Sequence, residues 1–87
     1  ENLLFQYTKM AADKGHSEAQ NNLAQNYLFG KGVEKDEQMS FKYLKLSADQ
    51  NNCKAEYLLG TYYLDGTGVT MNKKLAAKYF KKASEKG

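Results

Sequence analysis

The chain has 87 residues and a net charge of +3, with one cysteine, no proline and no arginine. A single cysteine excludes an internal disulfide, and no cluster of His and Cys has the spacing of a zinc site. The absence of arginine argues against specific nucleic-acid recognition, because the guanidinium fork is the group that best reads guanine and phosphate. No apolar run approaches the ~20 residues of a membrane span.

Five helices are predicted from the spacing of the apolar residues, and the absence of proline agrees with an all-helical chain. In chain order they cover residues 2–14, 17–29, 37–50, 53–65 and 73–86. The second and fourth carry apolar residues at i, i+4 and i+8: Ala19, Leu23 and Tyr27, then Ala55, Leu59 and Tyr63. The third and fifth each present one apolar face: Met39, Tyr43 and Leu46, then Ala76, Tyr79 and Ala83.

Helix ends are marked by polar residues and glycines. Ser17 followed by Gln20 matches a capping box, and Asp36 and Asn72 are predicted N-caps. Glycine favours the left-handed conformation that ends a helix. Such ends are predicted at Gly30 and Gly66, and at Gly15, Asn51 and Gly87. Val33 and Val69, which follow the glycine loops, are expected to turn inward between the helices.

The sequence repeats itself every 36 residues. Tyr-Leu-Phe-Gly-Lys-Gly-Val at 27–33 returns as Tyr-Leu-Asp-Gly-Thr-Gly-Val at 63–69. Such a period indicates one supersecondary unit that stacks on copies of itself. We divide the chain into a helix B at 1–15 and two units of helix A, glycine loop and helix B at 16–51 and 52–87. Tyr7, Tyr43 and Tyr79 recur at this period and are predicted to pack in the core.

The repeat resembles the Sel-1-like repeat, a 36-residue relative of the tetratricopeptide repeat. The second unit matches that pattern at Ala55, Tyr57, Leu59, Gly60, Tyr63, Gly66, Gly68, Val69, Ala76, Lys82, Ala83 and Gly87. The first matches at Ala19, Leu23, Tyr27, Gly30, Gly32, Val33, Asp36 and Ala48, and the leading helix at Ala11, Ala12 and Gly15. Asn21, Ala24 and the pairs Tyr43-Leu44 and Tyr79-Phe80 depart from it.

The resemblance implies an all-α, right-handed α-solenoid of about two and a half repeats that serves as a protein-interaction scaffold or adaptor. Some bacterial members carry a disulfide in each repeat, and this chain lacks those cysteines. Because the sequence opens at Glu1 inside a helical pattern, we expect neighbouring repeats of the same chain on both sides. The single cysteine favours a cytoplasmic location, although the ER lumen or another compartment stays open.

No catalytic, cofactor or metal site is predicted. The Gly-x-Gly of the loops follows a helix, whereas a phosphate-binding loop follows a strand. Asp65 opens an Asp-Gly-Thr-Gly segment, but its equivalent in the first unit is Phe29, so a pair of aspartates sharing a proton is missing. His16 and Cys53 show no partner for acid–base or nucleophilic chemistry. The chain is therefore predicted not to be an enzyme.

One half of helix A differs between the two units at every position, although the other half mostly repeats. Residues fixed by stacking should recur, while residues that face a ligand are free to differ. We therefore predict a partner-binding groove on helix A, lined by Asn21, Asn22, Gln25, Tyr57, Leu58 and Thr61. The alternative is that Tyr57, which matches the family pattern, packs between repeats and that the other residues are simply solvated.

Three functions remain open at this point. The first is a non-catalytic protein–protein interaction module for a protein or peptide partner. The alternative is a structural or regulatory spacer attached to an enzymatic domain outside this segment. The third is a basic binder of nucleic acid or an anionic surface through the lysines of the last helix, at 73, 74, 78, 81, 82 and 86. A run of lysines on a helix is usually a solvated face, and this is the preferred interpretation, so a nucleic-acid partner is not expected.

Overall fold

A computed structural model describes residues 3–86, without the side chain of Lys86. In that range it consists of five helices: α1 Leu3–Asp13, α2 Ser17–Phe29, α3 Glu37–Ala48, α4 Cys53–Asp65 and α5 Lys73–Lys86. The five predicted helices are confirmed. α3 ends two residues earlier than predicted, because the amides of Gln50 and Asn51 donate to the carbonyls three residues before them, at 3.1 and 2.9 Å, in a tighter turn. Asn51 adopts the predicted left-handed conformation with φ 65°. The predicted turn at Gly87 lies outside the described residues.

The helices form two antiparallel hairpins, α2 with α3 and α4 with α5, and α1 packs on the first of them. α3 in turn packs on α4, so each helix rests chiefly on its neighbours in the chain. The result is an elongated body of 37 × 23 × 15 Å. Because contacts run from one unit to the next, the described part of the chain is a solenoid.

Both glycine loops have the same backbone hydrogen bonds. Gly30 and Gly66 close α2 and α4 with φ of 68° and 72°, where a residue with a Cβ is strained. The amide of Asp36 donates to the carbonyl of Tyr27 at 2.9 Å, and the equivalent bond in the second unit is also 2.9 Å. Val33 and Val69 pack against the core, as predicted.

Helix starts agree with the predictions except at α2. Asp36 and Asn72 accept hydrogen bonds from the third amide of their helices, at 3.1 and 3.0 Å. The capping box at Ser17 is wrong. His16 is the N-cap without a side-chain bond, and Gln20 instead donates to the carbonyl of Ala12 at 3.2 Å. This bond joins α2 to α1. The capping-box pattern cannot predict it, because that pattern considers only the residues at the start of one helix.

The core is a continuous apolar layer through all five helices. Its buried members are Phe5, Ala12, Leu23, Ala24, Tyr27, Tyr43, Leu44, Ala48, Ala55, Leu59, Tyr62, Tyr63 and Ala76. Aromatic rings repeat within it: Tyr27 stacks on Tyr43 with centroids 6.0 Å apart, and Tyr63 stacks on Tyr79 at 5.8 Å.

Two predicted core positions are wrong. Tyr7 is 61% exposed, and Leu46 is 43% exposed. The stacking partners of Tyr43 and Tyr79 lie 16 residues earlier in helix A, and Tyr7 has no such partner among the described residues. α3 turns small residues inward instead of Leu46, because Ser40, Ser47 and Ala48 let helices approach closely.

Buried hydroxyl groups join the two hairpins. Ser40 Oγ donates to the carbonyl of Ala24 at 2.6 Å and lies 2.6 Å from the hydroxyl of Tyr62. Ser47 Oγ donates to the carbonyl of Ser17 at 2.8 Å. Polar atoms removed from water in this way need their hydrogen bonds, so these contacts fix how α4 sits on the first hairpin.

Candidate protein-binding surfaces

The predicted groove residues of α2 lie together, but at different depths. Asn21 is only 4% exposed, whereas Asn22 is exposed and Gln25 is half-buried. Asn21 lies near the start of α4, since it lines one groove together with Asn52 and Cys53. The helical spacing of these residues still places them along one side of α2.

A first groove, the α1–α2 groove, has a volume of about 260 Å³. It is lined by Leu4, Thr8, Asn22, Gln25, Asn26, Phe29 and Lys31. Its polar wall consists of three carboxamides from α2, and its apolar end is formed by Leu4 and by Phe29, which is 64% exposed. Apolar groups and the donors and acceptors of three amides thus lie side by side in this groove.

A second groove, the α2–α4 groove, adjoins the first at Asn22 and has a volume of about 310 Å³. It is lined by Glu18, Asn21, Asn22, Asn52, Cys53 and Lys54. Asn21 Oδ1 is buried and has no hydrogen-bond partner among residues 3–86. The two grooves together form a mainly polar surface along α2.

The predicted residues of α4 lie apart from those of α2. Tyr57 is 57% exposed and packs against Phe80, with ring centroids 5.5 Å apart. Tyr57 lines a third and larger groove, the α4–α5 groove, of about 720 Å³. The lining residues are Cys53, Lys54, Tyr57, Phe80, Ala83 and Ser84. Leu58 and Thr61 line none of the three grooves, and Thr61 Oγ1 donates to the carbonyl of Tyr57 at 3.3 Å.

Sequence reasoning did not include Leu4, Thr8, Asn26, Phe29 or Phe80 in the predicted groove. For Asn26 and Phe29 a signal was present, because both differ from their equivalents, Tyr62 and Asp65. Leu4 and Thr8 belong to α1. Their proximity to α2 depends on how the helices pack, which the repeat pattern of helix A does not encode.

Reactive side chains are scattered rather than grouped. Cys53 is half-buried, with Sγ 3.3 Å from the carbonyl of Ala83, and His16 is exposed. Within residues 3–86, no three side chains of His, Cys, Asp or Glu are arranged to hold a metal ion. None of the five described helices combines the length and hydropathy that a bilayer crossing requires.

Charges are concentrated at one end of the sequence. Lys73, Lys74, Lys78 and Lys81 are exposed and make no ion pair within residues 3–86. Lys82 lies 3.9 Å from Glu56, whose side chain is fully buried.

Burial raises the pKa of the Tyr62 hydroxyl above its usual value, and the bond to Ser40 only partly opposes this effect. Burial also raises the pKa of Tyr63.

The stacked helix A–helix B hairpins define the class of the protein as an α-helical repeat solenoid. The sequence profile of the Sel1 repeat matches residues 5–16, 17–52 and 53–87, so the chain belongs to the Sel1 repeat family. Proteins of this family generally serve as scaffolds for protein interactions and are typically not enzymes. Among curated proteins, no sequence is significantly similar to this chain.

Solved structures agree with the family assignment. A Sel1 repeat protein from Oxalobacter formigenes is 38% identical, with a TM-score of 0.92 over 94% of this chain and 62% of its own. The protective antigen c5321 of uropathogenic Escherichia coli, which displays an SLR fold, is 36% identical, with a TM-score of 0.94 over 95% of this chain and 18% of its own.

Helicobacter pylori cysteine rich protein B is 32% identical, with a TM-score of 0.91 over 97% of this chain and 63% of its own. The present chain thus spans less than two thirds of the length of each of these three structures. The agreement confirms the predicted α-solenoid.

Proposed function

We propose that this chain is a non-catalytic protein-interaction module that binds an extended peptide segment of a partner protein along α2. The observation that carries the proposal is the polar wall of the α1–α2 groove. Asn22, Gln25 and Asn26 line it, and their carboxamides make no side-chain hydrogen bond to another residue of the described range.

A free carboxamide offers two donor hydrogens and one acceptor oxygen, which match the amide and carbonyl of a peptide backbone. Asn22, Gln25 and Asn26 follow one another at i, i+3 and i+4, so their amides lie in one row on the helix. Leu4 and Phe29 beside this row provide apolar contact for a side chain of the peptide. The row therefore supplies both backbone recognition and an anchor.

The six residues predicted from the sequence enter this proposal unequally. Asn22 and Gln25 form its centre, and Asn21 lies beside them in the α2–α4 groove. Tyr57, Leu58 and Thr61 sit on α4 and extend the surface beyond the α1–α2 groove. We assign them a secondary role in the proposal, as contacts for a longer partner.

The test is selection of binding peptides from a random displayed library against the whole chain, followed by calorimetry. For selected peptides, Asn22→Ala combined with Gln25→Ala should weaken binding about tenfold or more, because each lost hydrogen bond contributes about 1 kcal/mol. The matched control is Gln6→Ala combined with Gln38→Ala, two exposed amides outside the groove. Circular dichroism should show unchanged helix content in both variants.

Two outcomes would contradict the proposal. If no peptide is enriched, a structural or regulatory spacer becomes the better interpretation. If the selected peptides bind the Asn22 and Gln25 variant as tightly as the native chain, the carboxamide row is not the site. Binding that disappears above about 0.2 M salt would instead favour the exposed lysines of α5.

A further inference from the structure

Asn21 carries a buried acceptor that no residue of the described range satisfies. The residue is 4% exposed, and its Oδ1 has no hydrogen-bond partner within residues 3–86. A buried polar atom without a partner lowers the stability of a fold, and native proteins contain few of them. The repeat itself does not require an amide at this place, because the second unit carries Tyr57 there. The unpaired oxygen therefore points to a ligand that donates a hydrogen bond.

The α2–α4 groove, which Asn21 lines, has opposite charges on its two walls. Glu18 belongs to the α2 wall, and Lys54 occupies the corresponding place on the α4 wall, 36 residues later. Both residues are exposed, and neither makes an ion pair with another residue in the range 3–86. One negative and one positive group are therefore left for a ligand to pair with.

The first turn of α4 strengthens the preference of the positive wall for an anion. Cys53 and Lys54 are the first two residues of this helix, and both line the groove. Their amides have no carbonyl within the helix to bind, and the helix dipole is positive at this end. On the opposite wall, Glu18 lies one turn before Asn21 on the same side of α2. A ligand would thus meet a negative group on α2 and a positive group on α4.

An extended peptide carries the groups that suit both walls. Its backbone amide can donate to Oδ1 of Asn21. Side chains two residues apart in an extended segment point to the same face, roughly 7 Å from each other. One of them can therefore approach Glu18 while the other approaches Lys54. A segment with two like charges would place one of them against a group of the same sign, which lowers affinity.

We propose that the α2–α4 groove binds a bipolar segment of the partner peptide, in which a basic and an acidic residue stand two positions apart. The basic side chain pairs with Glu18, and the acidic one pairs with Lys54 and the first amides of α4. The backbone between them donates to Oδ1 of Asn21. Because such a segment continues from the α1–α2 groove through the shared residue Asn22, its recognition rests on the proposed function.

The test is NMR titration of the whole, isotope-labelled chain with three short peptides. Each is an acetylated and amidated alanine pentapeptide with two charged residues, at its second and fourth positions: arginine and glutamate, two arginines, or two glutamates. The native chain should bind the bipolar peptide about fivefold more tightly than either of the others. Non-specific attraction to a chain with a net charge of +3 would instead favour the peptide with two glutamates.

The site of binding is read from individual signals. The side-chain amide signal of Asn21 and the backbone amide signals of Cys53 and Lys54 should shift during titration with the bipolar peptide. Asn21→Leu and Asn21→Ala both remove the acceptor, one by filling its space and the other by emptying it. Both should weaken the bipolar peptide about fivefold, as loss of one hydrogen bond does. A loss in only one of the two variants would show that packing, and not Oδ1, controls binding.

Charge reversals should change which peptide binds most tightly. Glu18→Lys makes both walls positive and should move the preference to the peptide with two glutamates. Lys54→Glu makes both walls negative and should move it to the peptide with two arginines. Glu34→Lys and Lys14→Glu make the same two charge changes at exposed residues outside the groove, and the preference for the bipolar peptide should survive them.

Three results would overturn the proposal. They are equal binding of the three peptides by the native chain, a preference that both charge reversals leave unchanged, and native affinity in both Asn21 variants. Gln25→Ala changes only the α1–α2 groove, so the preference for the bipolar peptide should persist in it. Library peptides that require Asn22 and Gln25 but show no charge preference would retain the proposed function and reject the bipolar segment. The reverse result would reject the carboxamide row alone.

Discussion

Gly68 is where the absence of a side chain determines how the two units meet. It has φ of 67°, and a methyl group added to it would overlap the carbonyl oxygen of Glu37 at the start of α3. Gly66 in the same loop has a similar φ of 72°, but an added methyl group would have only ordinary contacts at 3.5 Å. A comparison of Gly66 with Gly68 therefore separates the cost of the left-handed backbone conformation from the cost of crowding between the two units.

We predict that Gly66→Ala lowers the free energy of unfolding by about 1–2 kcal/mol, the cost of the left-handed conformation. Gly68→Ala should lower it by a further 1–3 kcal/mol or so, because backbone atoms must move apart. Urea denaturation followed by circular dichroism measures both. Equal losses for the two variants would show that the contact with Glu37 carries no weight.

His16 leaves the start of α2 without a side-chain cap, whereas its equivalent, Asn52, accepts a hydrogen bond from the amide of Ala55 at 3.0 Å. The backbone of His16 already has the extended conformation of an N-cap, with φ −75° and ψ 116°. We predict that His16→Asn raises the free energy of unfolding by about 0.5–1 kcal/mol. Asn52→Ala should lower it by about 1 kcal/mol. Thermal melting compares the variants, and a lower midpoint for His16→Asn would contradict the prediction.

In each helix pair, a different pair of residues fills the space between helix A and helix B. In the second unit Gly60 faces Phe80, and a methyl group at Gly60 would lie 2.9 Å from the Phe80 ring. In the first unit the equivalent residues are Ala24 and Leu44. A smaller residue on helix A thus accompanies a larger one on helix B.

We predict that Gly60→Ala destabilises the chain by about 1–3 kcal/mol through overpacking. Combining it with Phe80→Leu recreates the pair of the first unit and should recover part of that loss, with a coupling energy of about 1 kcal/mol or more. A double-mutant cycle in urea gives the coupling energy. Strictly additive effects would mean that the two residues do not share the same space.

The contact between α3 and α4 depends on the protonated hydroxyl of Tyr62. Because burial raises the pKa of this group in the folded chain, the unfolded chain releases the proton first as the pH rises. Its contribution to stability is complete below about pH 10 and declines as the pH rises toward the folded pKa. We predict that Tyr62→Phe shows a smaller fall in the free energy of unfolding between pH 9 and 11 than the native chain. An identical fall in both would contradict the prediction.

The 87 residues taken together are few, and the described ones leave much apolar surface in contact with water. Leu3, Leu4, Met10, Tyr57 and Met71 are all exposed. Chains of this size bury too little surface for a large margin of stability. We predict that residues 1–87 by themselves unfold with a free energy below about 5 kcal/mol, as measured in urea. A highly cooperative melting transition at high temperature would show that the described contacts suffice.

The repeat period determined most of what the sequence could predict. Recurrent glycines and Asn51 located the helix ends, because few residues adopt the left-handed conformation. Hydropathy could not identify the serines of the core, since Ser40 and Ser47 are polar residues buried for their size and hydroxyl groups. The repeat does indicate that small residues are needed at these two positions, because both carry alanine in the second unit.

The grooves were less predictable than the helices. Divergence between the units selects Asn22, which is exposed, and Gln25, which is half-buried, but it also selects Asn21, which is buried beside the start of α4. Whether a divergent residue is accessible depends on which helix lies over it. That information resides in contacts between helices, and the spacing of residues along one helix does not contain it.

The close approach of Gly68 to Glu37 has a consequence for how the family can vary. At this point the distance between the two units is set by main-chain atoms of Gly68 and Glu37, with no side chain between them. Exposed side chains of helix A, such as that of Asn22, take no part in this contact and can be exchanged without changing it. The contact that sets the distance between the second glycine loop and α3 is thus independent of the exposed residues of helix A.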